Sequence, residues 1–288
     1  MKKIDLMIAG AQKAGTTSLL RYLGQHPKIC THFQIELGYF ILDEQYKKGE
    51  TFLFSEYFKD CNSKDKIVAK NIGIMYEEKA MERLKKHNSN VHIVLILRNP
   101  VERAYSAYWY ARRKGWENLK TFEEAIEAEP KRLKEDPFKW RHCAYLERGK
   151  YIKYIKKLQN YYPKENIHIF FFEELKKNPL DIYKKTLEIL NIPFHEIKFK
   201  RKHNQAAIAR FEFLARIINK ENYLTKVGNI MLPRNIRKKT KLFIEQLNKK
   251  QAQIPEINTK TKEFLKDFYK NYNLELSKEI KKDLSIWL

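Results

Sequence analysis

The segment from Ile4 to Pro27, IDLMIAGAQKAGTTSLLRYLGQHP, restricts the fold more than any other part of the chain. Ile4 to Ala9 is a short, mainly apolar run that meets glycine at once, the profile of a buried parallel strand. Beyond Gly15, Leu19, Leu20 and Leu23 recur at helical spacing until Gly24 and His26-Pro27. A strand that turns through a glycine loop into a helix presents unpaired helix amides at the edge of a sheet. Amides and helix dipole together favour an anion there.

The same pattern repeats along the chain. Strands are expected at Lys66–Lys70 (KIVAK), Val91–Leu97 (VHIVLIL) and Ile167–Phe172 (IHIFFF). Helices are expected over Glu77–His87, Val101–Arg113, Phe122–Glu129, Tyr151–Tyr161 and Pro179–Leu190. Alternation of this kind predicts an α/β fold, a mostly parallel sheet with helices on both faces. After residue 195 the strand signals stop. Arg210–Asn219 and the amphipathic Lys260–Tyr272 read as helices of a C-terminal cap. The expected organisation is one domain over 1–288, with an α/β core at 1–195 and a basic loop plus helical cap at 196–288.

With 288 residues, 43% of them hydrophobic, the chain has material for a sizeable core, which excludes a disordered protein. No stretch approaches the roughly 18 consecutive apolar residues of a spanning helix. The expectation is a chain without a transmembrane segment or secretory leader, leaving room for peripheral contact with a membrane. Cys30, Cys61 and Cys143 are odd in number, widely spaced and in no metal-ligand pattern. They read as thiols of a reducing, cytoplasmic compartment. Lys+Arg 58 against Asp+Glu 35 gives +23, which draws anions without choosing among them.

Gly10-Ala11-Gln12-Lys13-Ala14-Gly15-Thr16-Thr17 shares both glycines of the nucleotide-binding pattern G-x-x-x-x-G-K-[ST]. Thr16 stands where a nucleoside triphosphatase keeps its lysine, and Lys13 lies inside the loop instead. The clearest strand ends in Arg98 rather than in an acid that would help hold Mg²⁺. The loop therefore suits a phosphate-type group handled by lysine and amides without metal. A second cluster, Arg98-Asn99-Pro100-Val101-Glu102-Arg103-Ala104-Tyr105-Ser106, puts a guanidinium at a strand's C-terminal end and a hydroxyl in the next helix. Ligands of open α/β sheets bind at that edge. Two anion sites on neighbouring strands suit a nucleotide phosphorylated at both ends.

At these residues the chain resembles the sulfotransferases that use 3′-phosphoadenosine 5′-phosphosulfate (PAPS). The branch resembled is the Golgi-type and bacterial carbohydrate one, which includes the heparan sulfate sulfotransferases. QKAGTTSL resembles the family's 5′-phosphosulfate loop and LRNPVERAYSAY its 3′-phosphate motif. GWENLKTFEEAI, Gly149-x-Tyr151, NIHIFFFEEL and the terminal DLSIW extend the likeness. The resemblance implies a P-loop-type sheet and a metal-independent transfer of a sulfuryl group from PAPS, leaving 3′-phosphoadenosine 5′-phosphate (PAP). It implies that Gln12, Lys13, Ala14, Gly15, Thr16, Thr17 and Ser18 bind the 5′ end, with Lys13 stabilising the leaving phosphate. Arg98 and Ser106 are implied at the 3′-phosphate. Lys200-Arg201-Lys202-His203-Asn204 resembles the basic loop that closes over the cofactor.

An acceptor hydroxyl or amine needs a base within hydrogen-bond reach. Glu36, ahead of Tyr39-Phe40, fits the family's glutamate, although Ile35 replaces the usual preceding lysine. His32 is the rival base. Lys70 matches a lysine of the family's K-[ST]-P-like segment, with Asn71-Ile72 in place of the usual residues, and is placed with the catalytic groups. Tyr105, Tyr108, Trp109, Tyr110 and Trp116 divide between core and stacking roles in a way the sequence does not sort. The expected acceptor is a glycan or glycolipid, an anionic one being suited to the surplus of basic side chains. A small-molecule or protein acceptor, or a P-loop nucleotide kinase, is the alternative. No recognised nucleic-acid motif occurs, so nucleic acid is not an expected partner.

Overall fold

The computed structural model describes residues 2–62, 65–199, 207–209, 249–251 and 254–288. Lys200, Arg201, Lys202 and the helix expected over 210–219 lie outside these residues. Five strands form one parallel sheet: β1 (Leu6–Gly10), β2 (Ile29–Thr31), β3 (Lys66–Lys70), β4 (His92–Leu97) and β5 (Ile167–Phe171). Their order is β2-β3-β1-β4-β5. Leu6–Ala9 of β1 and Ile93–Leu97 of β4 are fully buried. Central parallel strands are covered on both faces, which is why they read as unbroken apolar runs. Helices flank the sheet, as expected.

β2 was not foreseen. It is only Ile-Cys-Thr, lies at one edge, and buries Ile29 alone. An edge strand this short gives no alternation to read, and its shortness limits the ladder it leaves open to other chains. Strands β1, β3, β4 and β5, and the helices expected up to residue 190, lie within a residue or two of their expected limits. Helix Thr16–Leu23 buries Thr16, Leu19, Leu20 and Leu23, the i, i+3, i+4, i+7 stripe that packs it against the sheet.

The chain divides into two compact units. The first comprises Met1–Pro100, Lys150–Lys200 and Lys270–Leu288, and holds the parallel sheet. Near its C-terminus, Trp287 is buried against Tyr151 and Phe171, with ring centroids 6.2 and 5.6 Å away. The second comprises Val101–Gly149 and Arg201–Tyr269. Its frame is polar and buried: Glu129 accepts from the amides of Tyr145, Leu146 and Glu147 at 2.7, 2.7 and 2.8 Å. Glu117, itself buried, pairs with Arg132 at 2.8 Å and accepts from the Tyr145 hydroxyl at 2.9 Å. Helix Thr259–Ile280 replaces the shorter helix expected at Lys260–Tyr272. Among the described residues no helix is long and apolar enough to cross a membrane.

Two expectations are corrected. Strand pairing does not stop at residue 195: β6 (Ala207–Ala209) pairs antiparallel with β7 (Lys249–Gln251). Three-residue strands of Ala-Ile-Ala and Lys-Lys-Gln carry no periodicity to detect. Nor are all three cysteines separate thiols. Cys30 of β2 is joined to Cys61 in a disulfide with Cα atoms 5.6 Å apart, and Cys143 alone is free and buried.

Two predictions concern this framework. Gly15 has φ +86, and a Cβ there would stand 2.8 Å from Leu175 Cδ2. Gly15→Ala is therefore expected to cost about 2 kcal/mol, the left-handed penalty plus crowding, read from the urea midpoint. An unchanged midpoint would show that the loop accepts a side chain. Burial, ahead of all other causes, lowers the imidazoles of His32, His142 and His168 to about 4. The folded chain thus refuses protons that the unfolded chain takes up below 6.5. Stability should be full above pH 6.5 and fall as the pH drops toward 4, measurable as a declining Tm. A flat Tm over that interval contradicts it.

Candidate active site

Strands β3, β1 and β4 are neighbours, parallel, and end at one edge of the sheet. Register pairs Ile8 with Lys70 and Gly10 with Leu95. Strand spacing is about 4.8 Å, so the three loops leaving these ends are brought within one ligand's reach. Lys13 rises from the loop after β1, Lys70 closes β3, and Arg98 follows β4.

The first loop is held to β4 by the Ala11 amide, which donates to the Ile96 carbonyl at 2.8 Å. Lys13 has φ 68, a left-handed backbone that costs a lysine about 1 kcal/mol and persists only where its surroundings impose it. Gly15 then turns the chain into the helix, its carbonyl accepting from the Ser18 and Leu19 amides at 2.9 and 3.2 Å. Gln12, Ala14 and Thr16 are buried, while Lys13, Thr17 and Ser18 are half-buried. By helix geometry the Thr16 and Thr17 amides have no intrahelical acceptor. No side chain caps this end and no acid stands in its first turn. The helix N-terminus is thus shaped for an anion.

Arg98 reaches the same loop. Its Nη1 donates to the Lys13 carbonyl at 3.3 Å, and its guanidinium lies over the Phe172 ring, 4.7 Å from the centroid. The Arg98 carbonyl accepts from the Tyr151 hydroxyl at 2.8 Å. Phe172 and Leu175 also back Gly15. Tyr151 and Phe172 had not been placed among the site residues. Gly149-x-Tyr151 is the one signal for the former, and for Phe172 the signals are its place at the end of an expected strand and within NIHIFFFEEL.

On the other side of β1, the Lys70 side chain is 1% exposed and its ammonium pairs with Glu36 Oε1. Glu36 Oε2 accepts from the Ile72 amide at 3.2 Å. The Leu37 amide donates to the Lys70 carbonyl at 2.8 Å, and Asn71 Nδ2 to the Leu37 carbonyl at 2.6 Å. His32 lies beneath: buried, with Nε2 accepting from the Lys70 amide at 2.9 Å. Burial holds its imidazole down to about 4. A neutral imidazole whose acceptor nitrogen already serves a backbone amide has no lone pair left for a substrate proton. Glu36, half-exposed beside it, has that capacity.

Ser106 is half-buried on helix Pro100–Arg113, in the second unit. In that unit Tyr108 is a core residue, its hydroxyl donating to the Lys120 carbonyl at 2.6 Å. Tyr105 donates to the Pro255 carbonyl at 2.8 Å, and Trp116 lies on His142 with centroids 4.0 Å apart. The expected site residues thus fall into a Lys13–Arg98 group and a Glu36–Lys70 group flanking β1, with Ser106 described apart and Lys200, Arg201 and Lys202 not described.

The sulfotransferase domain model matches residues 3–281. Bifunctional heparan sulfate N-deacetylase/N-sulfotransferase 1 of Xenopus laevis is 25% identical over 98% of this chain and 30% of its own length. Heparan sulfate glucosamine 3-O-sulfotransferase 5 of Mus musculus is 27% identical over 65% of this chain and 53% of its own. The chain therefore spans between about a fifth and about half the length of the curated relatives it matches. Among solved structures, a sulfotransferase from Alicyclobacillus acidocaldarius superposes with a TM-score of 0.70 at 20% identity, covering 100% of this chain and 99% of the other. Mouse sulfotransferase SULT7A1, complexed with PAP, gives 0.52 at 17% identity over 98% and 88% of the two chains. Matched along nearly its full length, the chain belongs to the sulfotransferase family.

Proposed function

We propose that this chain transfers a sulfuryl group from PAPS to a hydroxyl or amine of a glycan or glycolipid acceptor. The observation that carries the reading is the contact of Arg98 with the Lys13 carbonyl beside an uncapped helix N-terminus. One nucleotide with phosphates at both ends spans such a pair of cations. Bound PAPS supplies the sulfuryl group and a phosphate oxygen on which charge develops as the group departs.

The chain's own residues then divide the work. Amides of residues 14–18 and the Thr16 and Thr17 hydroxyls hold the 5′-phosphate, with Gln12 lining the turn. The Lys13 ammonium offsets charge on the leaving oxygen, a preorganised cation needing no rearrangement during reaction. Arg98 holds the 3′-phosphate; Ser106 and the basic-loop residues Lys200, Arg201 and Lys202 are assigned to the nucleotide by motif resemblance alone. Glu36 removes the proton from the acceptor, while Lys70 and the Ile72 amide fix the orientation of its carboxylate. The curated relatives named for heparan sulfate support a glycan over a small molecule as acceptor, and a +23 chain favours an anionic one. A nucleotide kinase is disfavoured by Thr16 at the position of the triphosphatase lysine.

Two experiments test the reading. Calorimetry should detect PAP binding without added metal, and Lys13→Ala should lower transfer from labelled PAPS to desulfated heparan sulfate by about 10² to 10³. Full activity in that variant removes Lys13 from the mechanism. Glu36→Gln should lower kcat by about 10² to 10⁴, with PAP affinity retained. His32→Gln, which keeps an acceptor for the Lys70 amide, should lose far less. A reversed ranking would hand the base to His32.

A further inference from the structure

The loop that carries Glu36 is closed covalently. Cys30 is the middle residue of β2, and Cys61 lies just past helix Gly49–Tyr57. The ring their bond closes contains His32, Glu36 and Gly38. We propose that the Cys30–Cys61 disulfide is a positioning element for transfer: it clamps the Glu36 loop between β3 and the helix Gly49–Tyr57, so the oxidised protein transfers while the dithiol form still binds nucleotide but transfers poorly. The inference rests on Glu36 acting as proposed above.

Three observations carry it. First, β2 is three residues long and outermost, paired on one side only through Ile29–Lys66, Cys30–Ile67 and Thr31–Val68. So short an edge ladder is a weak hold on the chain that follows. Second, that chain passes directly into His32, whose Nε2 receives the Lys70 amide, and on to Glu36. Third, the end of helix Gly49–Tyr57 grips the same loop. The Tyr57 hydroxyl accepts from the Gly38 amide at 3.1 Å and donates to Gln45 Oε1 at 2.7 Å. Tyr57 and Phe58 meet the His32 ring edge-on, with centroids 6.2 and 6.1 Å away. The Cys61 amide donates to the Phe58 carbonyl at 3.1 Å, so the disulfide ties this gripping surface to β2.

The nucleotide cradle hangs on other supports. Its described contacts run through β1, β4, Tyr151 and Phe172, none of them inside the disulfide ring. Opening the ring should therefore separate transfer from nucleotide binding. Reduction by a dithiol breaks the sulfur–sulfur bond with two electrons and two protons, giving two protein thiols while the dithiol becomes a disulfide. Cys30 is half-buried against 7% exposure for Cys61, and is the more accessible partner. Disulfides persist in oxidising surroundings, so full activity is expected where the bond is kept.

The test uses the intact chain, oxidised and after dithiothreitol, with thiol titration to follow the change from one to three free thiols. On reduction kcat should fall by about tenfold or more, since small misplacements of a reacting group cost that much. The PAP dissociation constant should stay within about twofold, and reoxidation should restore transfer. Cys30→Ser/Cys61→Ser should reproduce the loss and ignore reductant. Amide hydrogen exchange should rise at residues 32–38 and not at 11–20, a readout that needs no transfer at all. Unchanged kcat with three thiols titrated, a parallel loss of PAP affinity, unchanged exchange at 32–38, or three thiols in the untreated protein would each overturn the proposal. Absence of PAP binding in the oxidised protein would instead overturn the sulfotransferase reading, leaving the exchange measurement to judge the clamp.

Discussion

A lysine ammonium withdrawn from water needs a counter-charge, and much of the site follows from that requirement at Lys70. With 1% of its side chain exposed, it is held at the end of β3 by strand geometry and must be met by an acid. Glu36 answers it, and the loop around Glu36 is bonded to the same strand end through Leu37, Asn71 and Ile72. An irregular segment thereby acquires a fixed position beside β1, the strand that delivers Lys13. The Glu36 carboxylate is placed by a lysine 34 residues further along the chain.

How much of this was legible depended on what each residue buries. β1, β3 and β4 were plain because a central parallel strand is covered on both faces and cannot hide polar positions in its run. Helix Thr16–Leu23 was plain because one stripe of leucines and two glycines bound it. The edge strand β2 was not, since Ile29 alone is buried there. The disulfide was invisible because two cysteines 31 apart become neighbours only once β2 lies beside β3. Lys13, Glu36, Lys70 and Arg98 were named from motif likeness. Their grouping into two pairs on either side of β1 required strand order, which spacing along a chain does not encode. His32 could be named as a rival base, but its occupied nitrogen and its burial are tertiary facts that no spacing encodes.

The sheet is retained at 20% identity to a solved sulfotransferase, as expected of an architecture specified by apolar pattern rather than by particular side chains. Phe33 is fully exposed and Ile35 61% exposed immediately ahead of Glu36, while His32 and Leu37 turn inward. Glu36 is thus tied to a strand end, while the two apolar side chains just ahead of it stay on the surface.

The Phe172 ring supports the Arg98 side chain and the Gly15 loop at once. One part of it lies under the Arg98 guanidinium, and another stands behind Gly15 where the loop enters its helix. Guanidinium and loop are therefore coupled, because any change in that ring shifts both together. Substitutions at the two should show coupled rather than additive energies, and the cradle can change its ligand only as a unit.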